Sequence, residues 1–343
     1  MASGKRALQG VRQADVARAA GVSTATVSRV LNGSPLVSDD VRARVEAVID
    51  RTGYLPDQGA RSLATRRSRA LGAIVPTLEN AIFAAGLNAF EAEAREAGFA
   101  LMIAVSNYEP AQEAALIRQM AARGVEGLLL VGNDRDPEAG AFLDRAGLRH
   151  CCAWAHDPEA PQPNIGFDNA AAMAPVVDHL VATGRRRVAV LAGVQDGNDR
   201  ARGRLEGALA RLAEHGLGPV AVRESRYSLR QAREAFGGLA EARPDAVVCG
   251  NDVIAFGVLS AARRAGLGVP DDLAVTGFDD LPLATEFDPP LTTVHVPARR
   301  MGAQAAAALI AGATEGAEVR SLRLDTHLEI RASSAPSGRP PGG

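Results

Sequence analysis

The chain has 343 residues, which at about 150 residues per domain suggests two domains and a small additional piece. Hydrophobic residues make up 47% and charged residues 23%, which excludes a fibrous or largely disordered protein. The longest apolar stretches, such as 99–105 and 127–131, are far shorter than the ~18 residues of a membrane span, and the polar N-terminus shows no secretory signal. We therefore expect a cytoplasmic protein that does not enter a membrane.

The net charge is −2, but the charged residues are unevenly distributed along the chain. Residues 1–69 carry 12 Lys and Arg against 6 Asp and Glu, whereas the remaining residues carry 26 against 34. A small basic segment attached to a large acidic body predicts a nucleic-acid-binding head joined to a body with another task. Cys151, Cys152 and Cys249 cannot all pair, and we expect core thiols rather than a disulfide or metal site.

The first part of the chain shows only helical patterns. A first helix is predicted over 15–20 and, after a tight turn, a second over 24–31, with Ser23 as its N-cap. A third helix is expected between Ser38 and Gly53. The apolar residues of the first two helices can close a small core, which leaves polar residues pointing outward at the start of the second helix. This geometry is typical of a helix-turn-helix that enters the DNA major groove.

From residue 70 onward, short apolar runs alternate with longer amphipathic stretches. This alternation predicts an α/β fold of parallel sheets flanked by helices. Its length favours two sheets over one, and two facing sheets leave a cleft beside the carboxyl ends of their strands. The predicted strands are 71–75, 99–105, 125–131, 150–154, 188–192, 246–249 and 273–276, and the predicted helices are 87–97, 113–122, 169–182, 200–215 and 252–265.

Short sequence motifs that occur together in one protein family are spread along nearly the whole chain. The head contributes the run from Asp15 to Gly33, Val37-Ser38, Gly53-Tyr54-Leu55-Pro56 and Ala60-Arg61-Ser62-Leu63, and the body contributes Gly72-Ala-Ile-Val-Pro76, Gly124-Val-Glu-Gly127, Gly250-Asn-Asp252, Gly277-Phe-Asp-Asp280 and Pro290-Leu-Thr-Thr293. In these motifs the chain resembles the lac-repressor (LacI/GalR) family of bacterial transcription regulators.

The resemblance implies four segments. These are a helix-turn-helix DNA-binding head over 1–55, a hinge helix and linker over 56–69, a two-lobed effector-binding and dimerisation body over 70–332, and a tail over 333–343. The body is expected to have the periplasmic-binding-protein fold. The tail is rich in Ser, Pro and Gly, and we expect it to be disordered.

For the head, the resemblance implies a homodimer that reads two half-sites of a roughly palindromic operator on double-stranded DNA. Arg29 is the expected guanine contact, and Leu63 at the end of the hinge is expected to wedge into the minor groove. The other predicted DNA contacts are Thr24 and Ala25 on base edges, and Ser23, Thr26, Ser28 and Asn32 on phosphates. The C-terminal region shows no clear heptad run, which favours a dimer over a tetramer.

For the body, the resemblance implies an effector site between the lobes. Carboxylates, amides and guanidinium groups beside an indole suit the hydroxyls and the ring face of a sugar. Two arginines in the set favour a sugar acid over a neutral sugar. The predicted effector-binding residues are Asn80, Phe83, Trp154, Asp168, Arg200, Arg204, Asn251 and Asp279.

Each of these assignments has an alternative. Trp154 could be a core residue, and Asp279 and Arg204 could form a strand-end turn or a salt bridge that closes the lobes. A purine-responsive, corepressor-type regulator, a cytoplasmic small-molecule-binding module and a DNA-binding structural protein are the competing functions. We favour induction, in which the effector releases the operator.

Enzyme motifs are missing from the sequence. There is no Gly-x-Ser-x-Gly elbow, no Gly-x-x-x-x-Gly-Lys phosphate loop and no His-Glu-x-x-His. The six histidines lack metal-ligand spacing. We therefore expect neither an enzyme nor a protein with a cofactor or metal.

Overall fold

The computed structural model describes residues 11–31, 33–54 and 67–335. These residues belong to two compact units, an N-terminal head that ends at Ser68 and a body that begins at Arg69. Asn32, Leu63 and most of the predicted hinge lie outside the described residues.

The head contains three helices: α1 (Gln13–Ala20), α2 (Thr24–Leu31) and α3 (Asp39–Thr52). Their core is apolar, with Val16, Val27 and Val45 fully buried. Ser23 caps α2 as predicted, because its Oγ accepts from the Thr26 N–H at 3.1 Å.

The body is built on two six-stranded sheets. Strands β1–β5 and β11 form the first lobe in the order β11-β5-β4-β3-β1-β2, and β6–β10 and β12 form the second in the order β12-β10-β9-β8-β6-β7. All strand pairs are parallel except β10 with β12. The strands are β1 (Ala70–Val75), β2 (Ala100–Val105), β3 (Gly127–Val131), β4 (His150–Ala153), β5 (Asn164–Gly166), β6 (Val188–Gly193), β7 (Ala221–Ser225), β8 (Ala246–Cys249), β9 (Ala274–Asp279), β10 (Thr292–His295), β11 (Leu322–Arg323) and β12 (His327–Glu329).

Helices flank both sheets, so the central strands are buried on both faces and consist of continuous apolar runs. The first and second lobes exchange the chain after β5, after β10 and between β11 and β12. The helices of the body are α4 (Ala81–Glu96), α5 (Pro110–Ala122), α6 (Pro137–Ala146), α7 (Ala174–Ala182), α8 (Asp199–Glu214), α9 (Leu229–Ala240), α10 (Asp252–Ala265), α11 (Leu283–Glu286) and α12 (Ala298–Glu315).

The disordered tail was predicted to begin at Ser333, but the first residues of that segment are part of the folded body. Ser333 and Ser334 are fully buried. The Ser333 hydroxyl donates to the carbonyl of Val275 at 2.6 Å and accepts from the N–H of Thr292 at 2.8 Å. A small hydroxyl side chain here bridges two neighbouring strands of the second sheet, which composition alone does not indicate. Residues 336–343 lie outside the described part of the chain.

Within the described ranges, no helix has the length and apolar character needed to cross a membrane.

Candidate functional site: the cleft between the lobes

The two lobes of the body meet along the carboxyl ends of their parallel strands, where open α/β sheets bind ligands. A small inner cavity of about 20 Å³ lies there, which is room for about one water molecule. A larger ligand therefore requires the lobes to move apart. The inner cavity is lined by Asn80, Ile82, Phe83, Tyr108 and Trp154 from the first lobe and by Asn198, Arg200, Arg204, Tyr227, Asn251 and Asp279 from the second.

A buried carboxylate, Asp279, stands at the end of β9. The amide of Asn251 lies 3.5 Å from its Oδ2, and Asn80 also hydrogen-bonds to it from the opposite lobe. Burial raises the pKa of Asp279 to about 7, while Arg204 and the two asparagines oppose the rise. Asp279 is also held at φ +118°, a strained conformation of the kind found at functional sites.

Both asparagines are fixed by a helix start. The Asn80 Oδ1 accepts from the N–H of Ile82 at 3.3 Å, and the Asn251 Oδ1 accepts from the N–H of Ile254 at 3.0 Å. Each side chain therefore caps a helix with its oxygen and turns its amide nitrogen toward the cleft.

Arg204 and Trp154 are joined through Asn169. Asn169 accepts from Arg204 at 2.8 Å and donates to the carbonyl of Trp154 at 2.9 Å. The Arg204 guanidinium also lies over the ring of Phe278, 4.7 Å from the ring centroid. This arrangement fixes the guanidinium beside Asp279.

The indole of Trp154 forms an aromatic wall of the inner cavity and is buried. It packs edge-to-face on Phe83, with ring centroids 5.2 Å apart. Its Nε1–H is buried and has no hydrogen-bond partner among the described residues. Leaving such a donor unpaired costs about 1–3 kcal/mol, which a ligand oxygen could recover. Trp154 therefore packs against Phe83 and also lines the inner cavity, and its binding of an effector remains a prediction.

Arg200 faces the inner cavity, but its charge is already engaged. Its guanidinium donates to Asp199 at 2.9 Å and to the carbonyl of Val131, in the opposite lobe, at 3.1 Å. Asp199 in turn accepts from the N–H of Asn133 at 2.7 Å, and Arg202 donates to Asp134 at 2.5 Å. We call these contacts between β3 and the start of α8 the interlobe latch.

Two tyrosines that are not among the predicted site residues close the cleft from opposite lobes. Tyr108 follows β2 and Tyr227 follows β7, and their rings stack with centroids 5.3 Å apart and planes 26° apart. The Tyr227 hydroxyl accepts from Asn198 at 2.8 Å. Burial raises the pKa of Tyr108 above its usual range. Tyr108 comes three residues after a predicted strand, and this position could have indicated a residue of the cleft. The short edge strand before Tyr227 was not predicted, so Tyr227 had no such indication in the sequence.

Asp168 does not line the inner cavity, contrary to expectation. Its carboxylate accepts from the N–H groups of Ala170 and Ala171 at 2.9 and 3.0 Å, and so begins the short helix that follows β5. The adjacent Asn169 occupies the position near the cleft. The remaining predicted effector residues all line the inner cavity.

On the head, the predicted DNA-reading residues lie on or near the surface. Ser23, Thr24, Ala25 and Arg29 are exposed, and Thr26 and Ser28 are half-buried. The Ser23 and Thr26 hydroxyls lie 2.9 Å apart, which fixes the start of α2. Among the described residues, no group of three His, Cys, Asp or Glu is placed to hold a metal ion.

Comparisons with known proteins decide the family. Residues 14–57 match the model of bacterial regulatory proteins of the lacI family, and residues 177–334 match a periplasmic binding protein-like domain. The chain is 31% identical to the HTH-type transcriptional repressor PurR of Photobacterium profundum over 93% of this chain and 97% of that protein. The chain belongs to the lacI family of bacterial regulatory proteins.

Solved structures of transcription regulators agree with this assignment. The lac repressor dimer bound to operator and the anti-inducer ONPF has a TM-score of 0.84 and 27% identity, covering 96% of this chain and all of that one. The complex of the transcriptional regulator CelR with cellobiose has a TM-score of 0.70 and 28% identity, covering 94% and 99%. The relatives are regulators rather than enzymes, and this chain is a DNA-binding transcriptional repressor with an effector-binding body.

Proposed function

We propose that this lacI-family repressor is a cytoplasmic homodimer that leaves its operator when a neutral sugar binds between the lobes of its body. The observation that carries the proposal is the arrangement around Asp279. One cavity is lined by a buried carboxylate, by two asparagines that cap helices, and by Trp154, whose indole N–H is unpaired. Planar groups with several acceptors and donors, next to an aromatic face, suit a ring that carries hydroxyls.

The charges favour a neutral sugar over the sugar acid expected from the sequence. Arg200 is paired with Asp199 and with a backbone carbonyl, and Arg204 lies beside Asp279 and donates to Asn169. The charge of Arg200 is therefore paired. The Nε–H of Arg204 is buried and unpaired, and this single donor suits a sugar hydroxyl without requiring a carboxylate from the ligand. Cellobiose, in the complex of the structurally similar transcriptional regulator CelR, is a neutral sugar.

The coupling to DNA rests on movement of the lobes. A ligand that fills the inner cavity binds only when the lobes have opened, and it shifts the equilibrium by its difference in affinity for the two arrangements. We infer that the head reads DNA through Arg29 and its neighbours, as the outward face of α2 suggests. The hinge and the minor-groove role of Leu63 remain predictions.

A thermal-shift screen tests the effector class. The panel contains neutral sugars, sugar acids, polyols and nucleobases, and Asp279→Ala is the matched variant. We expect stabilisation by a neutral sugar, because ligand that binds only the folded state raises the melting temperature, and loss of that stabilisation in Asp279→Ala. Stabilisation by nucleobases alone would contradict the proposal and favour a purine-responsive regulator.

A further inference from the structure

The interlobe cleft continues past the tyrosine pair into a second, larger space, which we call the outer chamber. Its volume is about 270 Å³, close to the lower limit of roughly 300 Å³ for ligand pockets. The outer chamber shares Asn80, Tyr108 and Tyr227 with the inner cavity. The two spaces are therefore neighbouring compartments of one cleft, with the stacked rings at their boundary.

Polar side chains from both lobes line the outer chamber. Glu79 and Asn107 come from the first lobe, and Arg226 and Gln231 come from the second. Within the described ranges, the side chains of Glu79, Arg226 and Gln231 form no hydrogen bond or ion pair. In the inner cavity, by contrast, Arg200, Arg204, Asn251 and Asp279 bond to one another or to nearby groups. The outer chamber therefore offers free donors and acceptors next to an aromatic ring.

The conformation of the loop after β2 fixes the boundary between the two spaces. Asn107 and Tyr108 are consecutive non-glycine residues at φ +55° and +62°. A left-handed conformation is costly for tyrosine, whereas asparagine tolerates it, and costly conformations of this kind cluster at ligand-binding sites. Here they direct the Tyr108 ring across the cleft onto Tyr227.

We propose that the outer chamber is a second sugar subsite, so that the effector is a neutral disaccharide or glycoside whose first ring lies in the inner cavity and whose second ring lies in the outer chamber. This inference rests on the proposed sugar-binding function. A molecule that occupies both spaces must pass the tyrosine pair, so the two rings separate and each offers one face to the ligand. Glu79 and Gln231 then hydrogen-bond to hydroxyls of the second ring.

The test compares disaccharides with their component monosaccharides by calorimetric titration of the full chain. The probes are cellobiose and maltose against glucose, and lactose against galactose. We expect at least one disaccharide to bind 10-fold or more tightly than its monosaccharides. In the double variant Glu79→Ala/Gln231→Ala, the affinity for that disaccharide should fall about 10-fold while monosaccharide affinity stays unchanged, because only the second ring loses hydrogen bonds.

The control is Glu241→Ala/Gln304→Ala, which removes the same residue types from exposed positions outside both spaces. It should bind every probe as the wild type does. Monosaccharides that bind as tightly as every disaccharide would overturn the second subsite and leave the sugar proposal intact, as would an equal loss for both ligand classes in the double variant. Failure of every saccharide to bind would overturn the proposed function and the subsite together.

Discussion

The backbone N–H of Asn133 donates to the Asp199 carboxylate at 2.7 Å, and this hydrogen bond joins the first lobe of the body to the second. Gly132 lies beside it at φ +74°, and a side chain there would collide with Asp199 and Arg200. The close approach of β3 to α8 therefore requires glycine at this position. Because the latch forms between lobes, it contributes to the closed arrangement rather than to the fold of either lobe.

Asp199→Ala should weaken the closed arrangement. The variant loses the bonds to Asn133 and Arg200, and hydrogen bonds to charged groups contribute about 1.5–3 kcal/mol. We expect the sugar that stabilises the protein most in the thermal screen to bind this variant about 10-fold or more tightly in calorimetric titration, because the sugar binds only when the lobes have opened. Asp196→Ala removes the same charge from an exposed position nearby and should leave the constant unchanged. Equal constants in all three proteins would show that the latch does not affect ligand binding.

Gly302→Ala should destabilise the body. A Cβ at this position would overlap the backbone of Gly86, where helices α12 and α4 cross closely, and overpacking of this kind typically costs about 1–3 kcal/mol. Urea unfolding followed by circular dichroism measures the change. Gly140→Ala, on helix α6 with open space around it, is the matched control and should raise the free energy of unfolding by about 0.5–1 kcal/mol. A Gly302→Ala variant as stable as the wild type would contradict the close helix contact.

Asp279 should make the stability of the body depend on pH. Its pKa is about 7 in the folded chain and 3.8 in the unfolded chain, so between these values only the folded state keeps the proton. The contribution to the free energy of unfolding is therefore complete below about pH 4, falls as the pH rises, and levels off above pH 7. Because the pKa is raised on folding, protonated Asp279 favours the folded state and ionised Asp279 disfavours it.

Urea unfolding of the wild type and Asp279→Asn between pH 4 and 8 isolates this effect, since asparagine keeps the size of the side chain but cannot ionise. We expect the wild type to lose stability relative to the variant as the pH rises. Parallel pH curves for the two proteins would show that the pKa of Asp279 is not raised by burial.

Arg29→Ala should weaken sequence-specific DNA binding. Arg29 is exposed on α2 of the head, and a bidentate arginine contact to guanine is worth about 1–3 kcal/mol. The measurement is fluorescence anisotropy on a site selected by the wild-type protein from random duplexes. Arg51→Ala removes the same charge from an exposed position on α3 and should cause a smaller loss that is equal for all sequences. An equal effect of the two variants would exclude a base contact by Arg29.

Much of the body was predictable because its central strands, such as β3 and β6, are continuous apolar runs in the sequence. The elements that were missed are short or half-exposed, such as β5 and the edge strand β7, where residues 222–224 face solvent. Apolar patterning cannot reveal a strand that does not bury both faces.

The sequence is also limited in predicting which single residues face the cleft. Asp168 and Asn169 are adjacent polar residues after one strand, and only the backbone path decides which of them turns toward the cleft. Tyr108 and Tyr227 are more than a hundred residues apart and meet because the two lobes face each other. No local pattern carries that information.

A titration of effector against labelled operator tests the central claim, that ligand bound between the lobes controls DNA binding. The site is the duplex selected by the wild type, and the ligand is the sugar that stabilises the protein most in the thermal screen. We predict that saturating sugar weakens operator affinity by about 5–150-fold, and that operator weakens sugar affinity by the same factor. Asp279→Ala should bind operator with the wild-type affinity, and the sugar should not change that affinity. Unchanged operator affinity with sugar bound would contradict the account, and tighter operator binding would contradict induction.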